Sequence, residues 1–149
     1  MAVIYIWQLY IYGSNIYAFI DIEGFVEKIG KVSVACNDTP GFVVNRLLVP
    51  YLAQSISLYE RGDADIEGID NGMMLGAGHP MGPMKLADYV GLDVTLFILQ
   101  GWKEKYPNEP AFFVPNILKK MVAEGKLGRK SGKGFYNWDG LKATGVSKD

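Results

Sequence analysis

The 149-residue chain holds one cysteine, Cys36, and one histidine, His79. A single thiol excludes an internal disulfide and a zinc knuckle built from thiolates, and it fits a reducing compartment. A catalytic thiol needs an imidazole at hand, and His79 lies far along the chain, so Cys36 reads as a small core residue. An excess of one charge is also missing: 15 basic and 16 acidic residues leave a formal net charge of −1. No global field therefore directs the chain to nucleic acid or to an anionic membrane. No Lys or Arg precedes Lys28, so the positive start of a secretory or mitochondrial leader is absent. What is present is apolar, with 49% hydrophobic residues. The length suffices for one domain with a real core and is too short for two of ordinary size.

Residues 1–23, MAVIYIWQLYIYGSNIYAFIDIE, are crowded with Ile, Tyr, Val, Phe and Trp. A membrane span is one reading, but Gln8 and the Gly13, Ser14, Asn15 break interrupt the apolar run and no positive flank orients it. The other is a β-hairpin, because β-branched and aromatic runs flank a Gly-Ser-Asn turn. Phe25 to Gly30 then reads as a helix end stopped by Gly30, followed by an apolar strand from Val32 to Cys36. A solitary strand cannot satisfy its own backbone groups, so either the opening segment or another chain must pair with it.

The stretch from Asp38 to Gly62, DTPGFVVNRLLVPYLAQSISLYERG, predicts one long helix. Asp38 or Thr39 can cap it, and Pro40 suits a first helical position. Val44, Leu47, Leu48, Tyr51, Leu52, Ser55, Ile56 and Tyr59 recur at steps of three and four and form a wide apolar stripe. Pro50 predicts a kink, since its ring cannot donate to the carbonyl of Arg46. Asn45 is the polar exception, and a buried amide costs a few kcal/mol unless partnered. Either it bonds to backbone at the cap or kink, or it projects into a site to orient a substrate oxygen or an imidazole.

Further along, Asp63 or Asp65 starts a helix carrying Ile66, Ile69, Met73 and Ala77, weakened by Gly68 and Gly72 by about 1 kcal/mol each relative to alanine. GAGHPMGP, Gly76 to Pro83, is a tight loop, Pro83 opens a helix to Val90, and Gly91 stops it. Asp93 caps a helix from Val94 to about Tyr106, PNEPAFF connects, and Pro115 opens the last helix. The sum is a bundle of about five helices. The segment GKLGRKSGKGFYNW, Gly125 to Trp138, is glycine-rich and basic and could cradle phosphate, yet its spacing does not match a phosphate loop. The alternative is a turn that seats the aromatics Phe135, Tyr136 and Trp138 against the bundle. Past Asp139 a frayed terminus is expected. His79 lacks a partner at recognisable spacing and reads as a turn residue.

From about Phe25 to Trp138 the chain resembles the C-terminal domain of the 3-hydroxyacyl-CoA dehydrogenase family, through DTPGFVVNRLLVPYL, LYERGDA, GAGHPMGP, LADYVGLD and GRKSGKGFYNW. The resemblance implies a mainly α fold, a helical bundle of the 6-phosphogluconate dehydrogenase C-terminal-domain-like type with a small β remnant at the N-terminus. It divides the chain into an atypical segment 1–36, the helical domain 37–138 and a tail 139–149. In the intact family enzyme NAD oxidises the 3-hydroxyl of an acyl-CoA within fatty-acid β-oxidation. Asn45 matches the active-site asparagine that helps hold the substrate oxygen and the catalytic histidine. His79 receives no role. The Gly-x-Gly-x-x-Gly turn is absent from residues 1–40, and no histidine precedes Asn45. The resemblance therefore predicts a truncated or divergent form, inactive alone, with no NAD-binding and no metal-binding residue of its own. Expected partners are a second copy or a full-length relative, and no nucleic acid or membrane. The expected compartment is the mitochondrial matrix or the cytoplasm.

Overall fold

The computed structural model describes residues 7–9, 25–26 and 28–147, which fall into two compact units, 1–46 and 47–149. In the first, β1 (Trp7–Leu9) runs parallel to β2 (Ser33–Ala35), with Trp7 opposite Ser33 and Leu9 opposite Ala35. The strand expected at Val32 to Cys36 is thus paired by the opening segment of its own chain. A helical turn at Phe25 and Val26 stops at Gly30, whose φ of 71° is readily adopted only without a Cβ. There Ile29 N–H donates to the Phe25 carbonyl and Lys31 N–H to that of Val26. The hairpin turn expected at residues 13–15, and the membrane reading of residues 1–23, lie outside the described residues apart from β1. Cys36 is half-buried rather than a core residue.

The long helix starts later than its sequence predicts. Gly41 and Phe42 have φ of 76° and 52°, a left-handed pair that cannot continue a right-handed helix. Phe42 N–H closes a turn on the Thr39 carbonyl at 3.0 Å, and α1 runs from Val44 to Glu60. Pro40 is therefore outside the helix. Pro50 sits inside it without ending it.

In the second unit α1 is followed by α2 (Ile66–Ala77), α3 (Pro83–Val90), α4 (Leu92–Lys105) and α5 (Asn116–Ala123). These are the five helices expected, and the fold is mainly α. Asp65 starts α2 by accepting from Gly68 N–H at 2.6 Å, and Gly78 ends it at φ 70°. α4 begins at Leu92, two residues before the expected Val94, because Gly91 rather than Asp93 occupies the cap. The connector between α4 and α5 contributes to the core: Phe112 is buried with its ring 4.8 Å from Trp102 and 6.0 Å from Tyr106.

After a 3-10 turn at Arg129–Ser131, β3 (Tyr136–Asp139) and β4 (Lys142–Val146) form an antiparallel hairpin. The frayed end expected past Asp139 is instead ordered strand to Val146. The two-residue turn Gly140-Leu141 accounts for it, with Gly at the first turn position at φ 58°. Tyr136 and Trp138 alternate inward and join Phe135, Leu52, Ile56, Met84, Leu92, Leu99 and Leu118 in one core. The aromatic seat predicted for the tail is thereby observed. Among the described residues no helix is long and apolar enough to cross a membrane.

Leu52 is 1% exposed and Phe97 78%. Leu52→Ala is expected to lower the unfolding free energy by about 2–5 kcal/mol, and Phe97→Ala by no more than about 0.5 kcal/mol. Urea denaturation of the two variants checks the contrast.

Candidate functional site

Asn45 stands in the first turn of α1, its N–H donating to the Gly41 carbonyl at 3.1 Å. Its side chain is exposed, which corrects the expectation of an amide set among apolar neighbours. The stripe it was read against is itself uncovered at this end: Val44 and Leu47 are exposed, and burial begins at Val49. Among the described residues no desolvation penalty therefore has to be met by this amide.

His79 is half-buried in the loop after α2. Its N–H donates to the Met73 carbonyl, its Nδ1 lies 3.4 Å from the Tyr51 hydroxyl, and the two rings are 5.4 Å apart. Burial, followed by the charge of Asp70, raises the Tyr51 phenol above its ordinary range. The histidine thus joins the loop to α1 as a packing partner.

The polar groups that the sequence reading missed are Asp70 and Asp88, 3% and 0% exposed. Asp70, on α2, accepts from Met84 N–H at 2.7 Å, Lys85 N–H at 3.2 Å and the Tyr136 hydroxyl at 2.8 Å. Two of these donors are the unpaired amides of the first turn of α3, whose own cap position, Gly82, has no side chain to offer. Asp70 supplies that cap from a different helix, where the α3 dipole also favours its charge. Asp88, on α3, accepts from Phe135 N–H at 2.9 Å, Tyr136 N–H at 2.8 Å and Trp138 Nε1–H at 2.9 Å. All three donors are neutral. Burial pushes the Asp88 carboxyl up to about 6, opposed by the Trp138, Tyr136 and Phe135 donors, with a smaller upward push from Asp70. Tyr136 is raised strongly, first by burial and then by its hydrogen bond to Asp70.

Both aspartates carried a readable signal. Ile66, Ile69, Asp70 and Met73 share one face of α2, as do Met84, Ala87 and Asp88 on α3. An acid on an apolar stripe is either functional or held by buried donors.

These carboxylates also explain the glycines. A Cβ on Gly82 would lie 2.2 Å from Asp70 Cγ, one on Gly134 2.1 Å from Asp88 Oδ1, and one on Gly128 2.3 Å from the Asp88 carbonyl oxygen. Three basic residues beside them have partners: Lys130 with Asp93, Lys126 with Glu124 at 2.9 Å, and Arg129 over the Tyr89 ring at 4.4 Å. Lys130 holds the Asp93 carboxyl below its usual range. Among the described residues no group of three or more His, Cys, Asp or Glu could hold a metal ion.

Fold and site together define a helical lobe closed by a C-terminal hairpin, with an exposed amide at the start of its longest helix. The family description "3-hydroxyacyl-CoA dehydrogenase, C-terminal domain" matches residues 41–138. The chain is 55% identical over 120 residues to the mitochondrial hydroxyacyl-coenzyme A dehydrogenase of Homo sapiens, covering 80% of this chain and 38% of that protein. It is 55% identical over 114 residues to a probable 3-hydroxyacyl-CoA dehydrogenase of Caenorhabditis elegans, covering 76% and 38%. Among solved structures, 3-hydroxybutyryl-CoA dehydrogenase from Escherichia coli superposes with a TM-score of 0.78 at 34% identity, over 84% of this chain and 26% of that one. The chain belongs to the 3-hydroxyacyl-CoA dehydrogenase family and matches its C-terminal domain. It spans about two fifths of the length of the curated relatives it matches.

Gly134→Ala and Gly82→Ala are each expected to destabilise the protein by about 1–3 kcal/mol through overlap with a buried carboxylate. Gly125→Ala, with open space at its Cβ but φ of 73°, meets only backbone strain, expected at roughly 1–2 kcal/mol. Thermal melts of the three variants test whether overlap or backbone strain dominates.

Proposed function

We propose that the chain is the substrate and dimerisation lobe of an NAD-dependent 3-hydroxyacyl-CoA dehydrogenase of fatty-acid β-oxidation. In this reading Asn45 orients the substrate oxygen and a histidine supplied by a nucleotide-binding lobe. The observation that carries it is the family match over residues 41–138, with Asn45 inside the match and its side chain exposed. Hydride transfer needs a pyrophosphate cradle and a base within reach of the hydroxyl. The Gly-x-Gly-x-x-Gly turn that such a cradle uses is not found in residues 1–40. The NAD of the working enzyme is then bound by the other lobe, and the compartment is the mitochondrial matrix or the cytoplasm.

The purified chain alone is expected to leave NADH unoxidised in the presence of acetoacetyl-CoA. Mixing it with the isolated nucleotide-binding domain of a relative is expected to restore turnover, and Asn45→Ala to lower that turnover by at least about tenfold. Oxidation of NADH by the chain alone defeats the reading, as does full activity of the mixed Asn45→Ala variant.

A second reading, a non-catalytic module that pairs with another copy or with a full-length relative, is favoured by the uncovered side of α4. There Val94 and Phe97 are 41% and 78% exposed, one turn apart. Light scattering at micromolar concentration is expected to give twice the monomer mass, and a clean monomer counts strongly against this reading, leaving only the pairing with a full-length relative.

A further inference from the structure

Between Thr39 and α1 the chain takes two left-handed residues in succession, Gly41 at φ 76° and Phe42 at φ 52°. The first has a local cause. Phe42 N–H donates to the Thr39 carbonyl at 3.0 Å, closing a four-residue turn with Pro40 and Gly41 at its centre. A proline followed by a residue of positive φ is the type II pattern, and glycine suits it. The turn is complete at Phe42 and makes no demand on the φ of Phe42 itself. Among the described residues other than glycine this is the one positive φ, and a bulky side chain is strained there because its Cβ crowds the following carbonyl oxygen. Strain of this kind persists only where the surrounding structure imposes it, and it gathers where function needs a group held in place.

The strained residue leads directly into the first turn of α1. The Gly41 carbonyl, on the peptide that joins Gly41 to Phe42, accepts from Asn45 N–H at 3.1 Å and from Arg46 N–H at 3.2 Å. The tilt of that peptide depends on the φ of Phe42, so the left-handed value sets where the shared acceptor points. Asn45 is exposed, and an exposed side chain takes its direction from its backbone rather than from packing. We propose that Phe42 is a positioning residue: its left-handed backbone aims the Gly41 carbonyl at the Asn45 and Arg46 amides and thereby fixes the direction in which the Asn45 carboxamide leaves α1. This rests on the reading that Asn45 serves the dehydrogenase site. A right-handed Phe42 turns the peptide away, frays the first turn of α1 and spreads the carboxamide over many directions, which a reaction that needs its atoms held in register does not tolerate.

The test replaces Phe42 by two residues that differ in their tolerance of positive φ. Phe42→Asn removes the ring and accepts the left-handed region, whereas Phe42→Val stays apolar and, being β-branched, resists it. Amide hydrogen exchange in the full chain reads the geometry at Asn45 and Arg46, with Ile56 in the middle of α1 as the control for an intact bundle. Protection at Asn45 and Arg46 is expected to fall at least about fivefold in Phe42→Val, to stay within about twofold in Phe42→Asn, and to hold at Ile56 in both. In the mixture with a relative's isolated nucleotide-binding domain, Phe42→Val is expected to lower kcat for acetoacetyl-CoA at least about tenfold while KM stays within about twofold, and Phe42→Asn to keep kcat. Equal losses of protection in both variants overturn the proposal, since the ring rather than the backbone then holds the turn, and so does protection that survives in Phe42→Val. Turnover with the unsubstituted chain that is undiminished in Phe42→Val overturns it too, while the reading of Asn45 stands. Absence of turnover with the unsubstituted chain defeats that reading instead, and the exchange result then decides the role of Phe42.

Discussion

The second unit depends on one contact, the Asp88 carboxylate and the three N–H groups of the C-terminal segment that converge on it. A fully buried acid is tolerated only where its lone pairs are met. Here they are met by residues 47 to 50 positions away. Phe135, Tyr136 and Trp138 can enter the core because their polar backbone and indole groups find this acceptor. Met84 and Ala87, on the same face of α3, are covered in turn. Removal of the carboxylate would leave three buried donors unmatched, each at a penalty of about 1–3 kcal/mol.

The same device recurs. α3 and α5 have no side-chain cap from their own N-cap residue, and in each case an acid from another helix completes the first turn. Asp70 serves Met84 and Lys85, and Glu60, the last residue of α1, accepts from Ile117 N–H at 2.8 Å. Short helices of eight residues do not persist alone in water. Their ends are fixed by tertiary contacts, so the acids that serve them fix helix packing and helix formation together.

Apolar spacing and glycine or proline punctuation located all five helices, and GRKSGKGFYNW located the buried aromatics. The boundary at Pro40 was misplaced because nothing in the local sequence marks Phe42 as left-handed, a conformation uncommon for a bulky residue. Asn45 was read as buried because periodicity shows which residues share a face, and leaves open where along the helix that face is covered. The glycines at positions 82, 128 and 134 were legible as turns, but their reason was not: it lies in Asp70 and Asp88, which only the fold brings beside them. The hairpin beyond Asp139 is legible in the glycine at 140, which suits the first position of a two-residue turn, and in the flanking strand residues.

The separation of the hydrogen-bonded partners in sequence sets the order in which this lobe can be completed. Asp70 waits 66 residues for the Tyr136 hydroxyl, and Asp88 waits 47 for its first donor. A nascent chain that has delivered all five helices but not yet Phe135 holds two acids facing an unfilled aromatic seat. The core of the second unit is therefore completed by residues that lie C-terminal to all five helices.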